Sequence, residues 1–258
     1  MNDPNRFDGR HIIVTGASTG IGRATAIMLG QRGASVSLIA RGKDNLASAV
    51  EQIGERAKAF PADVADRGAL AGAINAAITA QGPPDGLFAN AGFGGQFASF
   101  QDFTDDNWDA LIATNLTSVF LSIRQVLPHM LTRRSGAIVV TGSLASERGM
   151  PDNAGYVASK HGVLGLARAA AVEAAPHGVR VNCLIPGLIE TPLLHTIAGD
   201  GDVAAVMTAM GKAVPQGRVG TADETASLAC FLLSDAASHI TAQSIAVDGG
   251  MLGTLIPR

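Results

Sequence analysis

Tyrosine is all but missing from this chain: Tyr156 is the only one among 258 residues, and tryptophan also occurs once. Cysteine is nearly as scarce. Cys183 and Cys230 have no metal-ligand spacing, which excludes a disulfide framework or a thiolate metal centre, and both read as core thiols. His161, His177 and His195 lack partners at metal-ligating spacing, so no metal is expected. No apolar run reaches about 18 uninterrupted residues, and the opening MNDPNRFDGR lacks the apolar stretch of a secretory leader. The expectation is a cytoplasmic protein with no membrane span. Nor is there an excess of positive charge. The formal net charge is -3, the pI is near 6.0, and Arg133 with Arg134 is too short a basic run to serve as a nucleic-acid footprint.

What is present is a core former: 47% of the residues are apolar and 16% charged. Short runs rich in valine and isoleucine recur at 11–15, 34–40, 57–62, 86–90, 137–141, 179–185 and 244–247. Between them lie stretches of helical period, such as Ile21, Ala24, Met28 and Leu29, or Leu70, Ala73, Ile74 and Ala77, and longer helical segments at 105–131 and 155–175. Strands joined by helical crossovers cannot pair as hairpins. The pattern therefore predicts a single-domain α/β fold of Rossmann type, a doubly wound parallel sheet of about seven strands with helices on both faces. The interval 190–216 breaks the alternation with two apolar pieces around Gly199, Asp200 and Gly201, and reads as an insertion covering a site.

In such a sheet ligands bind beyond the carboxyl ends of the strands. The loop after the first strand is TGASTGIG, with Gly16, Gly20 and Gly22 able to admit a pyrophosphate at the start of the helix near Ile21. The second strand ends at Ala40, where an NAD site commonly has an acidic residue, and Arg41 comes next; a guanidinium there suits a 2′-phosphate and favours NADP, with NAD possible. Thr19 supplies no second cation. Asp63, Asn90 with Gly92, Ser143, and Pro186 with Gly187 come after the later strands and converge on the same edge.

With TGASTGIG, ANAG at 89–92, Asn115, Ser143, YVASK at 156–160 and PGLIETP at 186–192 in that order, nearly the whole chain resembles the short-chain dehydrogenase/reductase superfamily, in its compact branch. The resemblance implies Tyr156 as proton donor or acceptor and Lys160 as holder of the nicotinamide ribose. It implies Ser143 as hydrogen-bond partner of the substrate oxygen, and Asn115 as anchor of a water linked to Lys160. The implied cofactor site comprises Gly16, Ser18, Thr19, Gly20, Ile21, Gly22, Arg41, Asp63, Val64, Asn90, Ala91, Gly92, Tyr156, Lys160, Pro186, Gly187, Ile189 and Thr191. It also implies a homotetramer or homodimer. Ala89 and Ala222 depart from the family's frequent asparagine and proline, away from the proposed chemistry.

Residues four apart lie on one helix face, so Tyr156 and Lys160 are aimed at one point and the ammonium is expected to lower the phenol's pKa. Phe93, Leu144, Met150, Leu188, Leu193, Leu194, Met207 and Met210 are candidates to line the site, which favours an apolar carbonyl or secondary alcohol as the small-molecule substrate. A 3-oxoacyl-(acyl carrier protein) reductase would share every motif, although it should show a basic face for its carrier. A non-catalytic NADP-binding regulator would not need Ser143, Tyr156 and Lys160 together. The alanine-rich face at Gly165, Ala169, Ala170, Ala171 and Ala174 is a candidate contact between copies.

Overall fold

The computed structural model describes residues 3–192 and 202–254. All seven expected strands form: β1 (His11–Thr15), β2 (Ser35–Ala40), β3 (Ala57–Pro61), β4 (Gly86–Ala89), β5 (Gly136–Thr141), β6 (Val179–Pro186) and β7 (Ser244–Val247). The helices are α1 (Gly20–Gln31), α2 (Lys43–Ile53), α3 (Arg67–Gln81), α4 (Asp105–Leu111), α5 (Ser118–Arg133), α6 (Ala154–Ala174), α7 (Val203–Gly211) and α8 (Ala222–Leu233). Every strand pairs in parallel, in the order β3-β2-β1-β4-β5-β6-β7. The order reverses between β1 and β4, which opens a crevice at their carboxyl ends.

The inner strands read as continuous apolar runs because both of their faces are covered. Ile13, Ile39, Leu87, Ile138 and Val140 bury one face against Leu70 and Ile74 of α3, Val126 and Met130 of α5, and Val163, Ala167 and Ala171 of α6. Ile12, Val14, Val36, Leu38, Phe88 and Val139 bury the other against Leu29 of α1, Leu46 of α2 and Leu233 of α8. Ala170, Ala171 and Ala174 therefore face the core. This corrects the expected alanine contact face: of that set, only Gly165 and Ala169 are exposed, with Val172 beyond them at 72%.

The long helical segment expected at 105–131 forms, but it is not uniform. Between α4 and α5 the chain makes a π-helical turn at Ile112–Thr117, with the Ser118 amide donating to Ala113 O. One additional residue in the turn rotates the face presented by α5 by about 100°. By length and composition the stretch Asp105–Arg133 could cross a membrane, with a hydropathy of 1.4 in its most apolar window. Six of its apolar side chains, Leu111, Val119, Leu121, Ile123, Val126 and Met130, are buried within this fold, whereas Trp108 and Phe120 are exposed.

Candidate active site

The first loop leaves β1 through Gly16 at φ +68° and enters α1 at Gly20, φ +53°. A Cβ on Gly22 would lie 2.2 Å from Gly16 O and 2.6 Å from Asn90 Nδ2, so the loop closes this tightly only with glycine there. Helices α3, α4, α6, α7 and α8 each begin under a side-chain cap. Thr19 makes no such bond at α1, and the first turn of α1 holds no acidic residue. The amides at the start of α1, like those of α2, thus have no side-chain cap and could receive an anion such as a dinucleotide's pyrophosphate. Ser18 and Ile21 lie in the same turn, and Thr191 packs against it, with Cγ2 3.2 Å from where a Gly20 Cβ would be.

The adjoining rim is tied by short polar contacts. Thr15 Oγ1 accepts from the Asn90 and Ala91 amides at 3.0 and 3.2 Å, while Thr141 Oγ1 donates to Asn90 Oδ1 at 3.1 Å. At the end of β2, Arg41 reaches Asp63 with an Nη1–Oδ2 separation of 3.7 Å and keeps 78% of its side chain exposed. Asp63 also accepts from the Ala65 amide, across buried Val64. On the other side Gly187 N donates to Val247 O, and Ile189 is buried and bridged to Gly220. These residues fit the adenosine, pyrophosphate and nicotinamide portions of a dinucleotide laid across the crevice.

Ser143 comes directly after β5 and is locked in a capping box: its Oγ accepts from Ala145 N, and its own N–H donates to Ser146 Oγ at 3.1 Å. The Ser143 side chain is near enough to the Tyr156 phenol to act on its pKa, lowering it. Lys160 is buried, 4% exposed, and donates from Nζ to Thr141 O at 2.8 Å; its Nζ lies 5.7 Å from the centre of the Tyr156 ring. Asn115, 1% exposed in the π-turn, accepts from Phe93 N and donates to Phe93 O, both at 3.0 Å, and to Ser159 Oγ at 3.3 Å. A Cβ on Gly92 would come within 3.1 Å of Asn115 Oδ1 and 3.6 Å of Lys160 Nζ. All four candidate catalytic residues therefore gather around one point beside the Gly92 turn.

The electrostatics differ from expectation. Burial raises the Tyr156 phenol above its ordinary value, and the neighbouring Ser143 side chain opposes this only in part. Lys160 is buried as well, and the same low-dielectric surroundings push its ammonium down to about 8, with Cys183 acting to raise it. Among the expected lining residues, Phe93, Leu144, Met150, Leu188, Met207 and Met210 are all partly exposed; Leu193 and Leu194 lie outside the described residues. A hollow of about 380 Å³ between Gly20, Arg23, Thr191 and Asp223 does not include Ser143, Tyr156 or Lys160.

A family profile described as enoyl-(acyl carrier protein) reductase matches residues 16–252. Levodione reductase from Leifsonia aquatica is 36% identical over 253 residues, 95% of each chain. The crystal structure of a levodione reductase superposes with a TM-score of 0.92 at 34% identity, covering 96% of this chain and all of that one. The chain belongs to the short-chain dehydrogenase/reductase superfamily. Within that superfamily it is also similar to cyclohexanol dehydrogenase of Acinetobacter sp. (strain SE19), 37% identical over 95% and 96% of the two chains. The 3-oxoacyl-(acyl-carrier-protein) reductase of Thermotoga maritima is 34% identical over 96% and 99%. As a superfamily member this protein is an oxidoreductase of alcohol and ketone groups that uses a nicotinamide cofactor.

Several residues that shape the site were not singled out from the sequence. Thr141, Ser146 and Ser159 hold Lys160, Ser143 and Asn115 respectively, and Asn153 caps the helix bearing Tyr156. Only the N-cap could have been read in advance, from an asparagine three residues before Tyr156.

Proposed function

We propose that this protein catalyses NADP-dependent interconversion of an apolar ketone and its secondary alcohol, with Tyr156 as the acid or base. The observation that carries the reading is the gathering of Ser143 and the Tyr156 phenol around the buried Lys160 ammonium, whose Nζ lies 5.7 Å from the centre of the Tyr156 ring. When bound, the nicotinamide supplies or accepts the hydride. Gly16, Ser18, Thr19, Gly20, Ile21 and Gly22 would cradle the pyrophosphate, Asp63, Val64, Asn90, Ala91 and Gly92 would flank the adenosine and its ribose, and Pro186, Gly187, Ile189 and Thr191 would bound the nicotinamide. Ser143 orients the substrate oxygen, and Tyr156 delivers a proton to that oxygen or removes one. A phenol whose pKa is raised by burial keeps its proton at neutral pH and can donate it in a hydrogen bond to a carbonyl oxygen. Lys160 steadies the negative charge that appears on the phenol oxygen once the proton has left.

Arg41 supports the choice of NADP: its guanidinium is largely exposed and is balanced only by Asp63 at 3.7 Å, so it can turn to a 2′-phosphate. The apolar candidate lining and the similarity to cyclohexanol dehydrogenase favour a cyclic ketone or alcohol. Of the expected insertion 190–216, residues 193–201 lie outside the described residues; for the described remainder, which includes α7, we propose a substrate-covering role. We further read the protein as cytoplasmic and as a homotetramer or homodimer, with exposed Phe120 on α5 and Val172 on α6 offering apolar contact surface.

A 3-oxoacyl-(acyl-carrier-protein) reductase is the second reading, supported by the relative from Thermotoga maritima. The net charge of -3 weighs against a basic face for an acidic carrier. Turnover by Tyr156→Phe against a panel of cyclic ketones and acyl thioesters tests the mechanism. The expected result is a loss of at least about 10³-fold in kcat with NADPH binding within about twofold of wild type. Turnover near the wild-type rate would remove Tyr156 from the chemistry, and a preference for acyl thioesters would install the second reading.

A further inference from the structure

Segment 93–98, FGGQFA, belongs to no helix or strand and contains Gly94 and Gly95, the latter at φ +68°. Fixing such a stretch costs about 1–2 kcal/mol per residue in backbone entropy, and more for glycine. It is nevertheless held at nearly every turn by asparagine side chains. Asn115 brackets Phe93 by accepting from its N–H and donating to its C=O. Asn107, on α4, does the same to Gln96: Oδ1 accepts from Gln96 N at 3.0 Å, and Nδ2 donates to Gln96 O at 2.9 Å. A backbone N–H can only donate and a carbonyl can only accept, so the orientation of each amide is set by its partners. Each side chain takes the place of a neighbouring strand.

The third asparagine links this segment to the catalytic helix. Asn153 is 1% exposed; its Oδ1 accepts from Tyr156 N at 3.2 Å, and its Nδ2 donates to Gly94 O at 2.6 Å. Serine, threonine or aspartate would cap α6 as well, but none of them carries an amide donor that caps and tethers together. Beside it Asp152 adopts φ +61°, a conformation an L residue with a Cβ rarely takes, and its carbonyl accepts from Ala98 N at 2.8 Å. Leu111 fills the space between the two partners. Its Cδ1 lies 2.6 Å from where a Gly95 Cβ would be and 3.0 Å from that of Gly155, so glycine on both sides lets the segment close onto α6.

We propose that Asn107 and Asn153 are positioning residues that hold Gly94–Ala98 as a fixed wall against the start of α6, so that the surface meeting the substrate and the placement of Tyr156 are set by one hydrogen-bonded frame. The substrate part of this proposal rests on the ketone/alcohol reading above. Phe93, partly exposed, and Phe97, 54% exposed, put ring surface on that wall, which suits a bulky apolar ketone.

Two variants test it in the full chain. Asn153→Ser keeps a capping oxygen for Tyr156 N but drops the tether to Gly94. Asn107→Ala, on the outer helix α4, drops both bonds to Gln96 and keeps the assay available if the buried position does not tolerate change. In each, amide hydrogen exchange across Gly94–Ala98 is expected to speed up about tenfold, the scale of one or two lost net hydrogen bonds, with exchange in the β4 and β5 strands unchanged. The ratio of kcat/KM for a ring-substituted cyclohexanone to that for acetone is expected to fall about tenfold, chiefly through KM of the bulky ketone. Unchanged exchange in both variants overturns the frame. Faster exchange with equal losses on both ketones overturns its link to substrate choice. If the wild type turns over no carbonyl compound, the functional reading fails by itself, and exchange alone decides whether the asparagines hold the wall.

Discussion

Two cations, one exposed and one buried, illustrate how differently the same charge can be used at the scale of the residue. Arg41 is solvent-exposed and lightly paired, so its contribution should appear only when a phosphate is offered to it. Arg41→Ala is expected to weaken NADPH binding by about tenfold or more, the worth of a charge-assisted hydrogen bond, and to leave NADH binding nearly unaltered; equal losses in a fluorescence titration would remove Arg41 from cofactor selection. Lys160 is the opposite case, a buried ammonium whose protonated form is disfavoured, with its pKa lowered from 10.5 to about 8. Between those values the unfolded chain binds the proton and the folded chain does not, so the destabilisation is complete below about pH 8 and is relieved as pH rises toward 10.5. The thermal midpoint of the wild type should therefore rise relative to Lys160→Met across that window. A constant difference between the two would mean that the ammonium is not buried as described.

Elements carry their own constraints, and β1 has one near neutral pH. His11 sits at its start, 3% exposed, with Nε2 2.8 Å from Ser37 Oγ on β2 and Nδ1 2.7 Å from Gly82 O at the end of α3. Burial lowers its pKa from 6.5, outweighing Gly82 and Asp85. Protonation is then taken up by the unfolded chain first, so stability is retained above 6.5 and falls as pH drops below it. Denaturant midpoints should decline between about pH 6.5 and 5 in the wild type and decline less in His11→Asn; parallel slopes would exclude this histidine as the cause. The helical segment after β4 shows what periodicity leaves out. The apolar spacing of 105–131 announced a helix, and a helix formed, but the π-turn that swings Asn115 inward depends on its partners Phe93 and Ser159, which are 22 and 44 residues away in sequence. The same distance separates legible from hidden in the alanine face of α6: the run of small residues could be read, whereas its burial against the sheet could not.

For the whole molecule, parallel pairing gathers six strand-end loops at one edge, and that arrangement was legible in the sequence because valine-rich runs separated by helices admit few other packings. The glycine turn was legible for the same reason, at the end of β1, whereas the candidate catalytic set was read from the order of motifs that resembles the short-chain dehydrogenase/reductase superfamily. What the sequence by itself determined was thus the sheet, the edge at which the candidate site lies and the residue types placed there. Only the tertiary structure decided their surroundings: the burial that raises Tyr156 and lowers Lys160, the carbonyl that holds Lys160, and the asparagine frame around segment 93–98. The physical reason is that backbone pattern is a local property, whereas desolvation and hydrogen-bond pairing are set by groups that meet only after the chain has closed on itself.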